Sequence, residues 1–431
     1  MIKSNYSKQS SRGKSIKSKL VLLLASLIIL ANCSTKKEDS VASDETKLEV
    51  FKEGSFGYDL NFLEKHKEVV LLKSQDGQSQ LVVCPAYQGR VMTSTANGME
   101  GYSFGWLNHK LISSGEVLAQ FNPIGGEERI WFGPEGGQFS LFFKPESSFD
   151  FDKWQVPSEI DTEPFSITSK AQKEVVFEKA MKLKNYSGTT FDLNIQRTIK
   201  ILEKEQAGAN LAMSIPDDIK MVGFESENIL TNKGTTSWDK NSGALSIWIL
   251  SMLNPSPNTT IIVPFKKGEP SELGKIVTDD YFGKVPADRL IVKEEVLFFK
   301  ADGKMRSKIG VSPSRAKPLM GSYDADNKVL TIVQFSLPQD QINYVNSMWE
   351  IQDKPFEGDA INAYNDGPLE DGSQMGPFYE LESSSPAAFL PPGEGLVHFH
   401  RTYHFQGNNE VLEKLSTALF GLGLDEIMSV L

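Results

Sequence analysis

Phe378-Tyr-Glu-Leu-Glu-Ser-Ser-Ser-Pro386, Phe389-Leu-Pro-Pro-Gly-Glu-Gly395 and Leu396-Val-His-Phe-His-Arg-Thr-Tyr-His-Phe405 form the stretch on which the reading of this chain turns. It reads as a strand, a tight Pro-Gly turn and a second strand. Residues two apart on a strand share a face, so Glu380 and Glu382 face one side and Tyr379 and Leu381 the other. Two carboxylates on one face of a sheet are a place for acid–base chemistry or for hydrogen bonds to a polar ligand. His398, His400 and His404 share a face of the second strand by the same rule.

Upstream, the same period recurs. Val175–Lys184 and Thr190–Leu202 alternate cleanly, and short apolar runs lie at 68–73, 80–85, 89–95, 243–252, 259–264, 289–299 and 328–335. Turn signals such as Asn254-Pro-Ser-Pro, Asp302-Gly and Asp366-Gly separate them. A short helix is predicted over Tyr58–His66, and helical spacing returns at 409–420 and 424–431. With no repeat and no change of composition, the pattern predicts one large antiparallel β domain over 47–431. A helical segment, about 407–431, is expected to cap an edge of it.

The chain has 431 residues and a net charge of −11, which argues against a nucleic-acid partner. Its first residues differ. Lys3, Lys8, Arg12, Lys14, Lys17 and Lys19 precede an apolar run from Leu20 to Ala31, too short to span a bilayer comfortably. Leu30-Ala-Asn-Cys33 and the polar residues after it resemble a bacterial lipoprotein signal. The resemblance implies a signal peptide over 1–32, lipidation of Cys33, a tether over 33–46 and a membrane contact through acyl chains. The expected location is the cell envelope, at the outer membrane, on its periplasmic or surface side. Of the two cysteines only Cys84 remains; in Leu81-Val-Val-Cys-Pro it reads as a buried, inert thiol.

Three further stretches carry chemistry. In Phe121-Asn-Pro-Ile-Gly-Gly-Glu-Glu-Arg-Ile-Trp-Phe-Gly-Pro-Glu-Gly-Gly137, glycine pairs let backbone approach a ligand. Glu128, Arg129 and Glu135 offer polar contacts and Trp131 an apolar face, the two kinds of contact a sugar needs. An ordinary glycine turn with an Arg129–Glu ion pair fits the same residues. Trp349 and Tyr364 form a possible stacking platform beside Asp366; Asp366, Glu370 and Asp371 are either calcium ligands or a plain acidic loop. Arg306 and Lys308 suit an acidic sugar if they point inward, and are a solvated hairpin end if they do not. His109, in Trp106-Leu-Asn-His, is a candidate sugar contact or acid, or a surface-turn histidine.

Leu381-Glu-Ser383, Pro392-Gly-Glu394 and Tyr403-His-Phe405 resemble the closing strands of the galactose mutarotase-like, or aldose 1-epimerase, superfamily. The resemblance covers roughly residues 65–406. It is strong toward a subgroup of bacterial lipoproteins of unassigned function that share the Gly-Gly-Glu-Glu-Arg, Gly-Pro-Glu-Gly-Gly and Tyr-Asn-Asp-Gly motifs. It implies an all-β, antiparallel β-supersandwich that binds a saccharide, with Glu382 as general base and no cofactor or metal. The family's histidines are replaced by Ile124 before Gly-Gly and by Arg197 in the middle strand, and arginine is no proton donor at neutral pH. Three functions follow as expectations: epimerase-like proton transfer by Glu382 with Arg197 or His109, lyase action on an acidic sugar, or glycan binding without catalysis.

Overall fold

The computed structural model describes residues 50–369 and 371–431. The signal, Cys33 and the whole tether lie outside these residues, as does Glu370. Three sheets, antiparallel throughout, make the body. The largest has ten strands, running in space from Leu290–Lys293 through Val296–Lys300, Thr259–Pro264, Leu319–Asp324, Val329–Phe335, Gly395–Gln406, Lys220–Asn232, Thr190–Leu202 and Glu174–Lys184 to Ser166–Lys170. A five-stranded sheet runs Ser307–Val311, Ile361–Asn365, Tyr379–Ser384, Ser246–Leu250, Arg129–Gly133. A three-stranded sheet, Val70–Lys73, Gln80–Cys84 and Arg90–Thr95, completes the set. The expected all-β supersandwich with few short helices is what the chain adopts.

Period-2 alternation decides what each face does. On the five-stranded sheet Ile309, Val311, Ile361, Ala363, Tyr379 and Leu381 pack onto Ile261, Val263, Leu297, Phe299 and Val333 of the ten-stranded sheet. Ile130, Phe132, Ile247 and Ile249 do the same against Phe177, Ile195 and Ile199. Burying that many branched and aromatic side chains, each about 1.5–3 kcal/mol, is what joins the two layers. The intervening residues Lys308, Tyr364, Glu380, Glu382, Trp248, Leu250, Arg129 and Trp131 therefore face the other side together.

The outer face of the large sheet needs cover too. Ile262, Phe298, Leu330, Ile332 and Phe405 point there, and Val411, Leu412, Leu415 and Phe420 of the helix Asn409–Phe420 lie on them. The C-terminal helices thus cover a sheet face, not an edge as the sequence suggested. The run 289–299 also departs from expectation. It is a hairpin, Leu290 pairing with Phe299, turned at Glu294 with φ 40°. The helix predicted from Tyr58 begins at Phe56, where the Ser55 hydroxyl accepts from the Tyr58 N–H. Among the described residues no helix is long and apolar enough to cross a membrane.

Candidate functional site

The free face of the five-stranded sheet forms the floor of a cleft of about 70 Å³, and loops supply its walls. The sheet contributes Arg129 and Trp131 from one edge strand, Trp248 and Leu250 from its neighbour, Glu380, Tyr364 and, from the far edge, Lys308. Cross-strand register sets Lys308 opposite Tyr364, and Tyr364 opposite Glu380. Loops add Phe121, Glu135, Phe151, Trp154, Phe282, Arg306, Trp349, Met375 and Phe378. Trp131 meets Trp248 edge-on at 5.7 Å, and Trp154 stacks at 6.2 Å from Trp349.

Two ion pairs cross the floor. Arg129 donates to Glu380 Oε1 at 3.0 Å, its guanidinium 4.2 Å from the Trp131 ring. Lys308 Nζ donates to Glu382 Oε2 at 3.1 Å, and Trp248 Nε1 donates to the same oxygen at 2.8 Å. Glu382 is fully buried, and its Oε1 has no hydrogen-bond partner among the described residues. It sits behind Lys308 and Trp248, while Glu380 and Glu135 reach the cleft wall. Burial pushes the Glu380 carboxyl up to about 8; Arg129 opposes this, and the charge of Glu382 adds to it. Burial likewise raises Glu135, against the pull of Lys308 and Arg306. Burial works against the charge on Lys308, but Glu382, Glu135 and Glu380 outweigh it and hold its pKa above the ordinary lysine value. The floor is thus a carboxyl that keeps its proton beside a carboxylate-bound ammonium.

Of the residues singled out in the sequence, Arg129, Trp131, Glu135, Lys308, Trp349, Tyr364 and Glu380 meet in this cleft, with Glu382 beneath. Lys308 is on a strand and buried, so the solvated-hairpin alternative does not hold for it. Asp366 lies just outside, accepting from the Tyr364 hydroxyl at 2.7 Å and from the Gly376 N–H at 3.1 Å. With those bonds it orients Tyr364. Asp371 binds Ser373, and among the described residues no three His, Cys, Asp or Glu side chains come together as a metal site.

Three candidates lie elsewhere. Arg197 is on the core face of its strand, fully buried, donating to Glu128 at 2.7 Å, Asn228 at 2.8 Å and the Gly89 carbonyl at 3.1 Å. Glu128 is with it, because a residue adjacent to Arg129 on an extended chain must face the other way. His109 belongs to the N-terminal region: it contacts Asp59 at 2.8 Å and packs at 4.5 Å from Phe62. The sequence grouped these three with the cleft; the structure does not. The glycine pairs also act differently than expected. A Cβ on Gly125 would meet the Trp106 carbonyl at 2.2 Å, and one on Gly136 the Met348 carbonyl at 2.3 Å. The close approach they permit is by the chain itself. Trp106 packs behind Phe378 at 5.0 Å and does not line the cleft.

His398 and His400 both contact the Ser383 hydroxyl, at 2.9 Å each, and His404 joins Thr331 to Glu127. They form a polar layer inside the sandwich. Burial pushes His398 down to about 3. Cys84 is buried and free, its thiol raised by burial to about 11, so it is no nucleophile.

Sequence reasoning missed Trp154, Trp248, Phe121, Phe151, Phe282 and Phe378. Trp248 had a signal, alternation with Ile247 and Ile249, and so did Phe378, two residues before Glu380 in the quoted stretch. The others sit in irregular segments with no periodicity to read.

Fold and site together define an antiparallel β-sandwich protein with an aromatic-walled cleft floored by paired acids and bases. The sequence matches the family of unknown function DUF6786 over residues 54–431, and the chain belongs to that family. Curated proteins gave no match. Among solved structures, it is similar to the Slr1438 protein of Synechocystis, with 11% identity, a TM-score of 0.48, and 79% of this chain covering 96% of that one. It is similar to a galactose mutarotase-like protein of Lactobacillus casei at 10% identity and TM-score 0.45, over 78% of this chain and 100% of that one. A galactose mutarotase related enzyme of Lactobacillus acidophilus gives 9% identity and TM-score 0.42, over 78% and 97%.

Proposed function

We propose that this is an envelope-anchored protein whose cleft binds a saccharide and moves a proton on it. One observation carries the reading: Trp131, Trp154, Trp248 and Trp349 converge with Arg129, Lys308, Glu135 and Glu380 on a single cleft. Sugar C–H faces stack on indole rings, and sugar hydroxyls need donors and acceptors in the same place. Glu380, which keeps its proton near neutrality, serves as acid. Glu382, whose Oε2 is fixed by Lys308 and Trp248, has Oε1 left to accept a proton. Two neighbouring carboxyls whose surroundings set them different tasks are a recurring acid–base device.

A second reading is a glycan-binding protein without catalysis. The complete burial of Glu382 behind Lys308 and Trp248 favours it. Anomer exchange followed by NMR on a panel of free sugars, with binding followed by tryptophan fluorescence, separates the two. Loss of exchange with retained binding in Glu382→Gln and Glu380→Gln supports catalysis. Binding without exchange in the wild type supports the second reading, and no binding across the panel overturns both. The anchor is a separate proposal from the sequence: Cys33→Ala releases the protein from the membrane fraction if the acyl chains hold it there.

A further inference from the structure

We propose that the sugar taken by the cleft is a uronic acid, and that Arg306 receives its carboxylate; this rests on the saccharide reading above. Three cations line the cleft. Two have a carboxyl partner, Arg129 in Glu380 at 3.0 Å and Lys308 in Glu382 at 3.1 Å. Arg306 has none: among the described residues no carboxylate lies within ion-pair distance of it, and its Nε is buried without a hydrogen-bond partner. What holds it is aromatic. Its guanidinium lies 4.0 Å from the centroid of Phe282 and 5.9 Å from that of Phe151.

Ring faces steady a guanidinium plane but accept none of the N–H bonds along its edge. Those donors, on a half-buried side chain, have no acceptor among the described residues. A partly desolvated cation without counter-charge is unfavourable until an anion arrives. The planar fork of arginine matches a carboxylate with two parallel hydrogen bonds. Neutral sugars account for the tryptophans of the cleft but leave Arg306 unexplained. Burial raises both Glu135 and Glu380 above the ordinary carboxyl range, which works against their negative charge on the wall. Arg306 precedes the strand Ser307–Val311, so a ring whose carboxylate meets Arg306 can extend along the cleft toward Lys308.

The test is calorimetric titration of the full chain, in detergent, with two matched pairs: methyl glucuronoside against methyl glucoside, and methyl galacturonoside against methyl galactoside. At least one uronate is expected to bind about tenfold or more tighter than its neutral partner at low salt. That preference shrinks as salt is added. Arg306→Gln removes the preference and Arg306→Lys keeps part of it, since lysine retains charge without the fork. Neutral sugars binding as tightly as uronates, or an unchanged preference in a folded Arg306→Gln protein, overturns this proposal and leaves the saccharide reading standing. If neither pair binds, both fall for these sugars. Should Arg306→Gln not fold, the wild-type pairs and their salt dependence decide alone.

Discussion

Glu380 and Glu382 stand two residues apart on one strand and face the same way, yet each is claimed by a different cation, from opposite edges of the sheet. Arg129 holds Glu380 at 3.0 Å and Lys308 holds Glu382 at 3.1 Å. The first carboxyl borders the cleft and the second is sealed beneath it. One strand thereby presents a group that keeps its proton and a group fixed by an ammonium and an indole.

This division predicts a carboxyl titrating near 8 that disappears in Glu380→Gln. The folded pKa lies above the unfolded one, so Glu380 favours folding most at pH below the ordinary glutamate range. That contribution is lost as the pH climbs through about 8. Between about pH 5 and about pH 9 the wild type should lose more unfolding free energy than Glu380→Gln, read by urea denaturation. Equal losses in the two proteins would mean that the proton is not held there.

Lys308 is the counter-charge of a buried carboxylate. Lys308→Met leaves Glu382 with only the Trp248 N–H, and breaking a buried pair from one side costs about 3–5 kcal/mol. Adding Glu382→Gln should restore a substantial part of the loss, because no unpaired charge then remains. Urea unfolding of the two single variants and the double gives the coupling directly. Additive effects would show that the two side chains do not interact in the folded protein.

The strand pair near the end of the sequence, Tyr379–Ser384 and Gly395–Gln406, made the site legible. Alternation alone put Glu380 and Glu382 on one face, and the same rule puts Arg129 and Trp131 together. It also assigns Glu128 to the opposite face, yet Glu128 was grouped with the site because it neighbours Arg129 in the chain. The strand Lys220–Asn232 escaped notice for a physical reason: Ser226 and Asn228 are polar at core-facing positions, where they meet the Arg197 layer, so hydrophobic alternation is broken. The aromatic walls were hidden differently. Phe151, Trp154 and Phe282 come from irregular segments, and only the folded sandwich brings them to one cleft.

Arg197 provides a test of that separation. Its pair with Glu128 is wholly buried, and burial lowers the guanidinium while Glu128 opposes the change. Arg197→Met should cost about 3–5 kcal/mol by stranding Glu128, and Glu128→Leu in the same chain should recover part of it. Ligand affinity of the folded fraction should stay at the wild-type level, as neither residue lines the cleft. A folded Arg197→Met protein with weakened binding would return Arg197 to the site.

His109 belongs to a different balance. Asp59 accepts from its ring at 2.8 Å and also from the Ser103 hydroxyl, and Phe62 packs at 4.5 Å. The bond to Asp59 raises the imidazole above its ordinary 6.5, with burial pulling the other way. A raised folded value means that the protonated histidine favours folding. The contribution is complete below the unfolded pKa and fades as the pH rises through the folded one. The ring is partly exposed, so solvent screens the pair and the effect is small. Stability should therefore decline from the ordinary imidazole range upward in the wild type and follow a flatter course in His109→Gln. NMR titration of the ring supplies the second check: an imidazole titrating at or below 6.5 would remove the basis for the slope.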